Sequence, residues 1–361
     1  MNGHSKFDIK GCVLSILTYL ILLTSSISAV AQESDTTFVE EDFSMYDEVE
    51  LADGGKRFAT SKVLGQSPNK LISLGYDFQG RHDMTLDDLG SAPMSTLQVN
   101  SVQGIRIVAN FPIISKTNVL VNIGANYGES LYQIDNADDH PLSQSLQQRG
   151  LRTTGLSATV FKPFNETNFL FTQVTADLNG DYFLPDFQPL SFTRYSLSAI
   201  YGWKRHDRLL YGFGFTRSYR VGEPNYLPVF MYNYTFPSRK WGIESVFPAR
   251  GHVRRTIDAR TLAFFGYELE GQTYRMSSLE GVGGVLDPEL RRSELRIRLV
   301  FERSIKDFIW LSVQAGVRYN WNYNLDDGDF FRGFFGDQLY IMENDLANAL
   351  YFNFSINLVS P

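Results

Sequence analysis

The sequence predicts an all-β protein, a transmembrane antiparallel up-and-down β-barrel of about fourteen strands. Three observations support this fold class: an export signal at the N-terminus, an apolar/polar alternation that recurs to the end of the chain, and connections that alternate between long and short. Strand boundaries drawn from alternation carry an error of roughly two to four residues, so the pattern accommodates about twelve to sixteen strands.

The alternation is clearest over residues 118–128, which read NVLVNIGANYG. Apolar side chains such as Val119 and Ile123 fall on one face, whereas Asn122 and Gly124 fall on the other, which is the period of a β-strand. The same period recurs in 195–203, 209–215, 295–301, 309–319 and 352–358. In an exported chain we interpret the apolar face as facing lipid and the opposite face as lining a lumen.

Residues 1–31 have the layout of a signal peptide. Lys6 and Lys10 precede an apolar run, Val13–Leu23, that is too short to cross a bilayer as a helix. Ala29-Val30-Ala31 then matches the small-x-small cleavage pattern, which predicts a mature start at Gln32. A short membrane anchor is the alternative interpretation.

The composition narrows the class further. The net charge is −7, so no basic surface for nucleic acid is expected. Mean hydropathy is only −0.18 although 43% of residues are hydrophobic, as expected where alternate strand residues face lipid. Cys12, the single cysteine, lies in the predicted signal peptide, so the mature chain is predicted to lack disulfides and cysteine ligands. We expect no cofactor.

Residues 32–68 differ from the rest of the chain because they are acidic and lack sustained alternation. Charge-rich segments bury too little apolar surface to order themselves, so we expect a mobile periplasmic N-terminal tail. A folded plug is the alternative.

The predicted barrel covers residues 69–361. Its candidate strands are 69–80, 97–111, 118–128, 151–162, 168–178, 191–204, 208–218, 226–236, 240–247, 251–258, 260–271, 289–303, 307–321 and 348–359. The connections alternate long and short, and 248–250 is the exception among the long set. Because outer-membrane barrels have short periplasmic turns and longer outer loops, we expect an outer-membrane location with both chain ends in the periplasm.

A soluble β-sandwich is the competing fold, since it shows the same alternation. Strands of eleven to fifteen residues are long for a sandwich but match a tilted bilayer crossing. Aromatic residues on the apolar faces also suit the girdles at the two bilayer interfaces. We therefore expect outer-membrane lipid as one partner of the chain.

The last strand, Tyr351–Leu358, resembles the terminal signal that the outer-membrane barrel assembly machinery reads. The usual signal ends on an aromatic residue, whereas Val359-Ser360-Pro361 follow here, so the match is partial. The assembly machinery is accordingly a second expected partner.

Two segments carry a family resemblance: LPVFMYNYTFPSRKWGIESVFPARGHVRRTI at 227–257 and ANFPIISKTN at 109–118. The order of strand and turn residues in these segments resembles that of an uncharacterised, domain-of-unknown-function family of Gram-negative outer-membrane β-barrels. The resemblance covers roughly residues 69–359 and implies fold and location only.

The candidate functional residues are charges on the predicted lumen face: Asp77, Arg106, Asp177, Arg194, Arg254, Glu268, Glu294, Arg296, Arg298, Glu302 and Arg318. A cation facing lipid at the bilayer centre costs about 2–4 kcal/mol, which favours the inward assignment. Because both signs are present, we expect mutual pairing in preference to an anion-selective field.

We expect a pore or small-solute channel, or a structural barrel, and no enzyme. One alternative is a barrel enzyme acting on lipid or peptide at the outer rim, for which Asp138, Asp139 and His140 are the acid–base candidates. Another is a surface-binding or adhesion barrel that uses loops 129–150 and 322–347. No HExxH, GxSxG or spaced His/carboxylate pair accompanies the histidines.

Alternate residues of the strand 118–128 are assigned to lipid and to the lumen, so neighbouring positions should differ in their tolerance of a charged substitution. Val121→Arg should cost about 2–4 kcal/mol near the bilayer centre because it places the cation in lipid, whereas Asn122→Arg should cost much less. Folding yield into lipid vesicles measures the difference. If the Asn122 variant fails while the Val121 variant folds, the in–out assignment is inverted.

Overall fold

The computed structural model describes residues 58–183, 189–218, 225–328 and 340–360. The predicted signal peptide and residues 32–57 of the predicted tail lie outside the described residues.

The described chain is dominated by β-strands. In chain order these are β1 Lys70–Gln79, β2 His82–Leu86, β3 Ser95–Lys116, β4 Val119–Ile134, β5 Leu151–Pro163, β6 Asn168–Gly180, β7 Thr193–His206, β8 Leu209–Ser218, β9 Asn225–Thr235, β10 Trp241–Phe247, β11 Arg250–Asp258, β12 Thr261–Arg275, β13 Pro288–Lys306, β14 Ile309–Asn322, β15 Leu325–Asp327, β16 Asp345–Leu346 and β17 Ala349–Val359. Helices are short: Pro141–Gln148 and Pro189–Phe192, with single 3₁₀ turns at Ala137–Asp139, Ser277–Leu279 and Val282–Gly284. None of these described helices has the length and apolarity to cross a membrane.

Fourteen strands form a closed antiparallel barrel, as predicted: β1, β3–β14 and β17. The wall closes because β1 pairs with β3 on one side and with β17 on the other. Closure gives every barrel strand a partner on both sides, so most backbone hydrogen bonds of the wall are made within the sheet. The short strands β2, β15 and β16 extend the sheet beyond the barrel strands at one end.

The strand predictions are confirmed apart from their ends. The two largest differences are at the end of β4, which was predicted at 128 but lies at Ile134, and at the end of β3, which was predicted at 111 but lies at Lys116. The pairing of β3 with β4 resumes beyond an irregularity between Pro112 and Ile114 and continues to the hairpin turn at 117–118. A proline interrupts strand pairing only locally when the chain can bulge around it. Residues 112–116, which were predicted to belong to a turn, therefore continue the pairing of β3 with β4.

The two faces of the wall differ in polarity. Along β17 burial alternates strictly, with Phe352, Phe354 and Ile356 exposed outward and Asn353 and Ser355 buried inward. The outward face of the other strands is similarly apolar, and residues such as Leu74, Leu156, Phe213, Phe265, Leu299 and Val317 are exposed. We call this surface the apolar belt. An exposed apolar surface that continues around the wall is typical of contact with lipid.

The ends of the barrel are built differently. At the turn end, the connections are short: 117–118, 164–167, 207–208, 236–240, 259–260 and 307–308. At the loop end lie the described connecting residues 80–94, 135–150, 181–183, 189–192, 248–249, 276–287, 323–328 and 340–348. Described loop-end segments pack together around a hydrophobic core that includes Leu86, Leu142, Met276, Tyr323 and Met342. We call this assembly the cap.

Residues 58–68 correct the expectation of a wholly mobile tail over 32–68. Ala59 and Val63 are buried in a second core with Phe161, Phe169 and Leu210, which are lumen-facing residues near the turn end. We call residues 58–68 the N-terminal arc. The acidic composition that indicated a free tail belongs to the upstream part, because the arc itself contains no acidic residue.

Candidate functional site in the barrel lumen

The lumen is charged along one part of its wall. Strand β13 alternates, so Arg292, Glu294, Arg296 and Arg298 all project to the inner face while the residues between them face outward or are covered. The neighbouring strands β12 and β14 add Glu270 and Arg318 at adjoining positions. Period-two geometry thus concentrates both signs of charge on β12–β14.

Glu294 is the centre of this charge cluster. Its carboxylate accepts from Arg292 at 2.9 Å and from Arg296 at 2.6 Å, and the Arg318 Nε lies 3.4 Å away. Glu294 is 1% exposed and Arg318 is fully buried. A buried carboxylate surrounded by several guanidinium groups neutralises charges that would be costly in isolation.

A second carboxylate, that of Glu270, connects the charge cluster to the neighbouring strands. Glu270 pairs with Arg296 at 2.6 Å and with Arg106 at 2.8 Å. Arg106 in turn donates to Asp77 at 3.0 Å, and Asp77 also accepts from the Asn353 side-chain amide at 2.8 Å. The ion pairs therefore link β13, β12, β3 and β1, and the Asn353 hydrogen bond extends this network to β17.

Nearer the turn end the pairing continues. Glu268 pairs with Arg298 at 2.6 Å. Arg298 also donates to the Gln314 side chain at 3.0 Å. Glu302 pairs with Lys70 at 2.6 Å. These contacts leave both signs of charge matched within the wall.

The remaining predicted residues lie apart from the central cluster. Arg254 pairs with Glu244 at 2.8 Å near the turn end. Arg194 pairs with Glu289 towards the loop end. Asp177 accepts from the Asn126 side chain at 3.4 Å, on a different part of the wall. Each of the eleven candidate charges thus has a polar partner, but they do not form one site.

Five charged partners of the predicted residues were not themselves predicted: Lys70, Glu244, Glu270, Glu289 and Arg292. A usable signal was present for two of them, since Glu270 shares the parity of Glu268 and Arg292 shares that of Glu294. Glu244 lies opposite His252 on β11, and Arg254 is two residues further along the same strand. The Glu244–Arg254 pair can therefore be predicted only when the pairing register of β10 and β11 is known.

The opposite part of the lumen wall carries fewer charges, Asp177 on β6 and Arg194 on β7 among them, and has a set of accessible uncharged side chains. On β4–β8 the inward residues Asn122, Asn126, Ser157, Thr159, Gln173, Thr175, Ser196, Ser198 and Thr216 are all partly exposed. We call this set the hydroxyl–amide strip. By contrast, Arg318, Ser355 and Asn357 on the charged side are buried. Solvent-accessible space inside the barrel therefore lies along β4–β8.

A cavity of about 160 Å³ lies between the charge cluster and the cap. Its lining includes the charged residues Arg106, Glu270 and Arg292 and the hydrogen-bonding residues Gln272 and Tyr274. The lining combines paired charges with hydrogen-bonding side chains, so the cavity suits a small polar molecule or ordered water.

The cap is fastened by one buried carboxylate. Asp181 accepts from the backbone N–H groups of Ser277 at 2.8 Å and Ser278 at 3.0 Å, and from the Ser145 hydroxyl at 3.3 Å. Asp181 follows β6, Ser145 lies in the helix Pro141–Gln148, and the other two serines follow β12. A single side chain thereby ties three loop-end segments together.

His140, the acid–base candidate, is part of the cap. It is fully buried, its Nδ1 accepts from the Leu142 backbone N–H at 3.1 Å, and its Nε2 lies 3.0 Å from the Asp87 carbonyl. Both ring nitrogens therefore have backbone partners. His140 is the N-cap residue of the helix Pro141–Gln148, and its side chain accepts a hydrogen bond from the first turn of that helix. The enzyme hypothesis loses its main candidate residue.

The N-terminal arc follows the inner rim of the turn end. The Ala59 backbone N–H donates to the Asn165 carbonyl and that of Leu64 donates to the Asp207 carbonyl, each at 2.9 Å. The Thr235 hydroxyl donates to the Leu64 carbonyl at 2.6 Å. The arc thus contacts the β5–β6 turn, the β7–β8 turn and the end of β9.

Arg254 and Glu302 hold the other half of the arc. The buried Arg254 guanidinium donates to the carbonyls of Leu64 and Gly65. The Ser67 hydroxyl donates to Glu302 at 2.7 Å. Gly65 has φ +72°, and an added Cβ would lie 2.7 Å from the Arg254 guanidinium, so a side chain is excluded there by conformation and by space.

Closed topology, an apolar belt and an inward charge network together define an outer-membrane β-barrel. No protein-family model and no curated protein matches the sequence. The resemblance to an uncharacterised barrel family therefore stays an expectation.

Solved structures show distant similarity. An outer-membrane channel from Pseudomonas putida F1 is 11% identical with a TM-score of 0.34, covering 86% of this chain and 100% of that one. The monoaromatic hydrocarbon channel TodX, as a mutant, is 8% identical with a TM-score of 0.32, covering 82% and 91%. The transport unit of the autotransporter AIDA-I from Escherichia coli is 9% identical with a TM-score of 0.27, covering 82% and 92%. At these values the similarity assigns neither a family nor a cargo.

Glu294→Gln should destabilise the barrel on the order of 3 kcal/mol, because it leaves three arginines without their shared carboxylate. Denaturant unfolding from lipid vesicles measures the loss. Glu280→Gln is the matched control, since Glu280 is exposed and 3.6 Å from its partner Arg275. Equal midpoints for the two variants would contradict the central role of Glu294.

The cap should loosen on acidification. Burial, together with the Arg318 guanidinium, lowers the pKa of His82 from 6.5 to about 4, and burial also lowers the pKa of His140. Between pH 6.5 and pH 4 the unfolded cap therefore binds more protons than the folded cap. The stability of the cap is highest above pH 6.5 and decreases as the pH falls towards 4, with a loss of about 3 kcal/mol from His82.

Limited proteolysis of loops 80–94 and 135–150 at pH 7.5 and pH 5 tests this pH dependence. The variant His82→Gln/His140→Gln should cleave at similar rates at both pH values after correction for protease activity. His206→Gln, at an exposed turn-end position, is the control and should behave as the wild type does. Wild-type cleavage that is independent of pH would refute the prediction.

Proposed function

We propose that this protein is a small-solute channel of the outer membrane and that the arrangement described above is its closed state. The observation that carries the proposal is the hydroxyl–amide strip, the set of accessible uncharged side chains on the inner face of β4–β8. Both chain ends of the barrel, and with them the N-terminal arc, are proposed to face the periplasm.

The size of the barrel and the placement of its charges support a conducting lumen. Eight-stranded barrels are filled by side chains, whereas barrels of about sixteen strands enclose aqueous channels. Fourteen strands lie near the upper end of that range. Apart from the Arg194–Glu289 pair towards the loop end, the ion pairs described above lie on β1, β3 and β10–β14, which favours a lumen that is accessible to a polar solute along the strip.

Neutral or zwitterionic solutes fit this lumen better than ions of one sign. The hydroxyl and amide groups of the strip donate and accept hydrogen bonds without imposing a net charge. Across the lumen, Arg106 is matched by Asp77 and Glu270, so the facing wall carries both signs in balance.

The N-terminal arc is the proposed gate. It meets the wall through hydrogen bonds at the turns and through only a small apolar core, so its release exposes little apolar surface. Arg254 is the strongest single attachment because it binds two consecutive carbonyls of the arc.

Arg254→Gln/Glu244→Gln should raise single-channel conductance in planar bilayers, since it detaches the arc without leaving a lone buried charge. Liposome swelling in arabinose should accelerate in parallel. Arg298→Gln/Glu268→Gln is the matched control: it removes an equivalent ion pair from the lumen wall away from the arc and should leave conductance near the wild-type level.

A cross-link tests the gate from the other direction. In the Arg254→Gln/Glu244→Gln background, Ala59→Cys/Asn165→Cys should reclose the lumen on oxidation and reopen it on reduction, because Ala59 and Asn165 already share a backbone hydrogen bond. If neither the detached nor the reduced protein conducts more than the wild type, the channel proposal is wrong.

A further inference from the structure

A shallow groove lies on the outer face of the barrel where β10 and β11 adjoin the β9–β10 turn. It is lined by Phe236, Trp241, Ile243 and Val253, together with Ser238 of the turn. Apart from Ser238 the lining is apolar, and Phe236 and Trp241 are 39% and 43% exposed. The groove, which we call the outer groove, therefore continues the apolar belt and is open to lipid.

Arg255 is the cation beside the outer groove. It is the cross-strand partner of Trp241, and it lies on the outer face with Val253 because residues two apart on a strand share a face. The guanidinium carbon of Arg255 lies over the Trp241 ring, 5.2 Å from its centroid. A guanidinium stacked on an aromatic ring still presents the N–H donors at the edge of its plane, which suit a phosphate group.

The turn 236–240 adds two cations. It reads FPSRK, so Arg239 and Lys240 come directly before Trp241, and the turn contains no carboxylate. Both side chains are exposed. The Arg239 backbone N–H donates to the Phe236 carbonyl at 2.9 Å, so the turn is closed by its own backbone.

These three cations differ from those of the lumen. The lumen arginines described above bind carboxylates, whereas the side chains of Arg239, Lys240 and Arg255 make no hydrogen bond or ion pair within the described part of the chain. The nearby Asp258 carboxylate accepts from the Arg260 backbone N–H at 2.7 Å. Three positive charges without a protein acceptor therefore adjoin one apolar surface.

The position of the three cations corresponds to the edge of a membrane. Trp241 is the first residue of β10, and Arg255 lies in the second half of β11, so both are near the turn-end edge of the apolar belt. A lipid-facing cation is costly at the bilayer midplane and costs little near the interface, where lipid phosphates lie. Tryptophan is enriched at the same level.

We propose that the outer groove and its three cations bind one anionic phospholipid, with an acyl chain along the groove and the headgroup phosphate at Arg239, Lys240 and Arg255. Charge complementarity supports this occupant, because an anionic phospholipid joins an apolar chain to a phosphate acceptor as the groove joins an apolar lining to unpaired donors. The site does not depend on the proposed channel, since it lies on the outer face and uses no lumen residue.

Native mass spectrometry of the full-length protein in detergent measures the headgroup preference. Phosphatidylglycerol and phosphatidylcholine with identical acyl chains are titrated separately, and the first phosphatidylglycerol should bind severalfold more tightly. Arg255→Gln should weaken phosphatidylglycerol binding about fivefold, equivalent to about 1 kcal/mol for one cation, and leave phosphatidylcholine binding unchanged. Equal affinities of the wild type for the two lipids would overturn the proposal.

Lys240→Gln and Lys116→Gln form a matched pair that localises the site. Each removes one exposed lysine from the turn end, but Lys116 is on β3, on the opposite side of the fourteen-strand wall from β10. Lys240→Gln should weaken phosphatidylglycerol binding, whereas Lys116→Gln should not. Equal losses would mean a diffuse attraction to a basic end of the barrel and would overturn the site.

Quenching of tryptophan fluorescence tests the groove in a membrane. The protein is reconstituted in phosphatidylcholine vesicles that contain a minor fraction of either phosphatidylglycerol or phosphatidylcholine with brominated acyl chains. Brominated phosphatidylglycerol should quench more strongly, and this excess should be lost in Trp241→Phe. It should persist in Trp203→Phe, the control that removes another lipid-facing tryptophan, on β7.

An excess of quenching that survives in Trp241→Phe would overturn the proposal, as would equal quenching by the two brominated lipids. This measurement needs no substitution at Arg255, so it decides the question even if Arg255→Gln folds poorly.

Discussion

Backbone hydrogen bonding in lipid is the constraint on which the rest of this structure depends. A bilayer offers no water to satisfy N–H and C=O groups, so the sheet must close on itself, as it does where β17 meets β1. Closure fixes the direction of every side chain, because successive residues of a strand point to opposite faces. The apolar belt and the ion-pair network are both consequences of that alternation, and one strand such as β13 carries both.

The distribution of charge around the wall then separates the lumen into two parts. Glu294 and Glu270 share their arginines with several strands, so the side formed by β1, β3, β12–β14 and β17 is drawn together by charge. The side formed by β4–β8 carries fewer charges, and its inner face has a set of accessible hydroxyl and amide side chains.

The ends of the barrel are closed by segments that are distant in sequence. Asp181 joins three loop-end segments through serine hydroxyls and backbone N–H groups, and Arg254 holds carbonyls of a segment nearly 190 residues upstream. Both attachments are polar. Each attachment adjoins an apolar core, the core of the cap at the loop end and the smaller core of Ala59, Val63, Phe161, Phe169 and Leu210 at the turn end.

The sequence by itself determined the approximate number, the approximate positions and the facing of the barrel strands, because the period of two and the length of a membrane crossing are local properties that each strand displays alone. It also placed charges such as Arg296 and Arg318 inside. It did not determine which charges pair, why Glu244 belongs with Arg254, or that residues 58–68 bind the turn end. Those features depend on pairing register, strand tilt and contacts between residues far apart in the chain, and only the closed barrel brings such residues together.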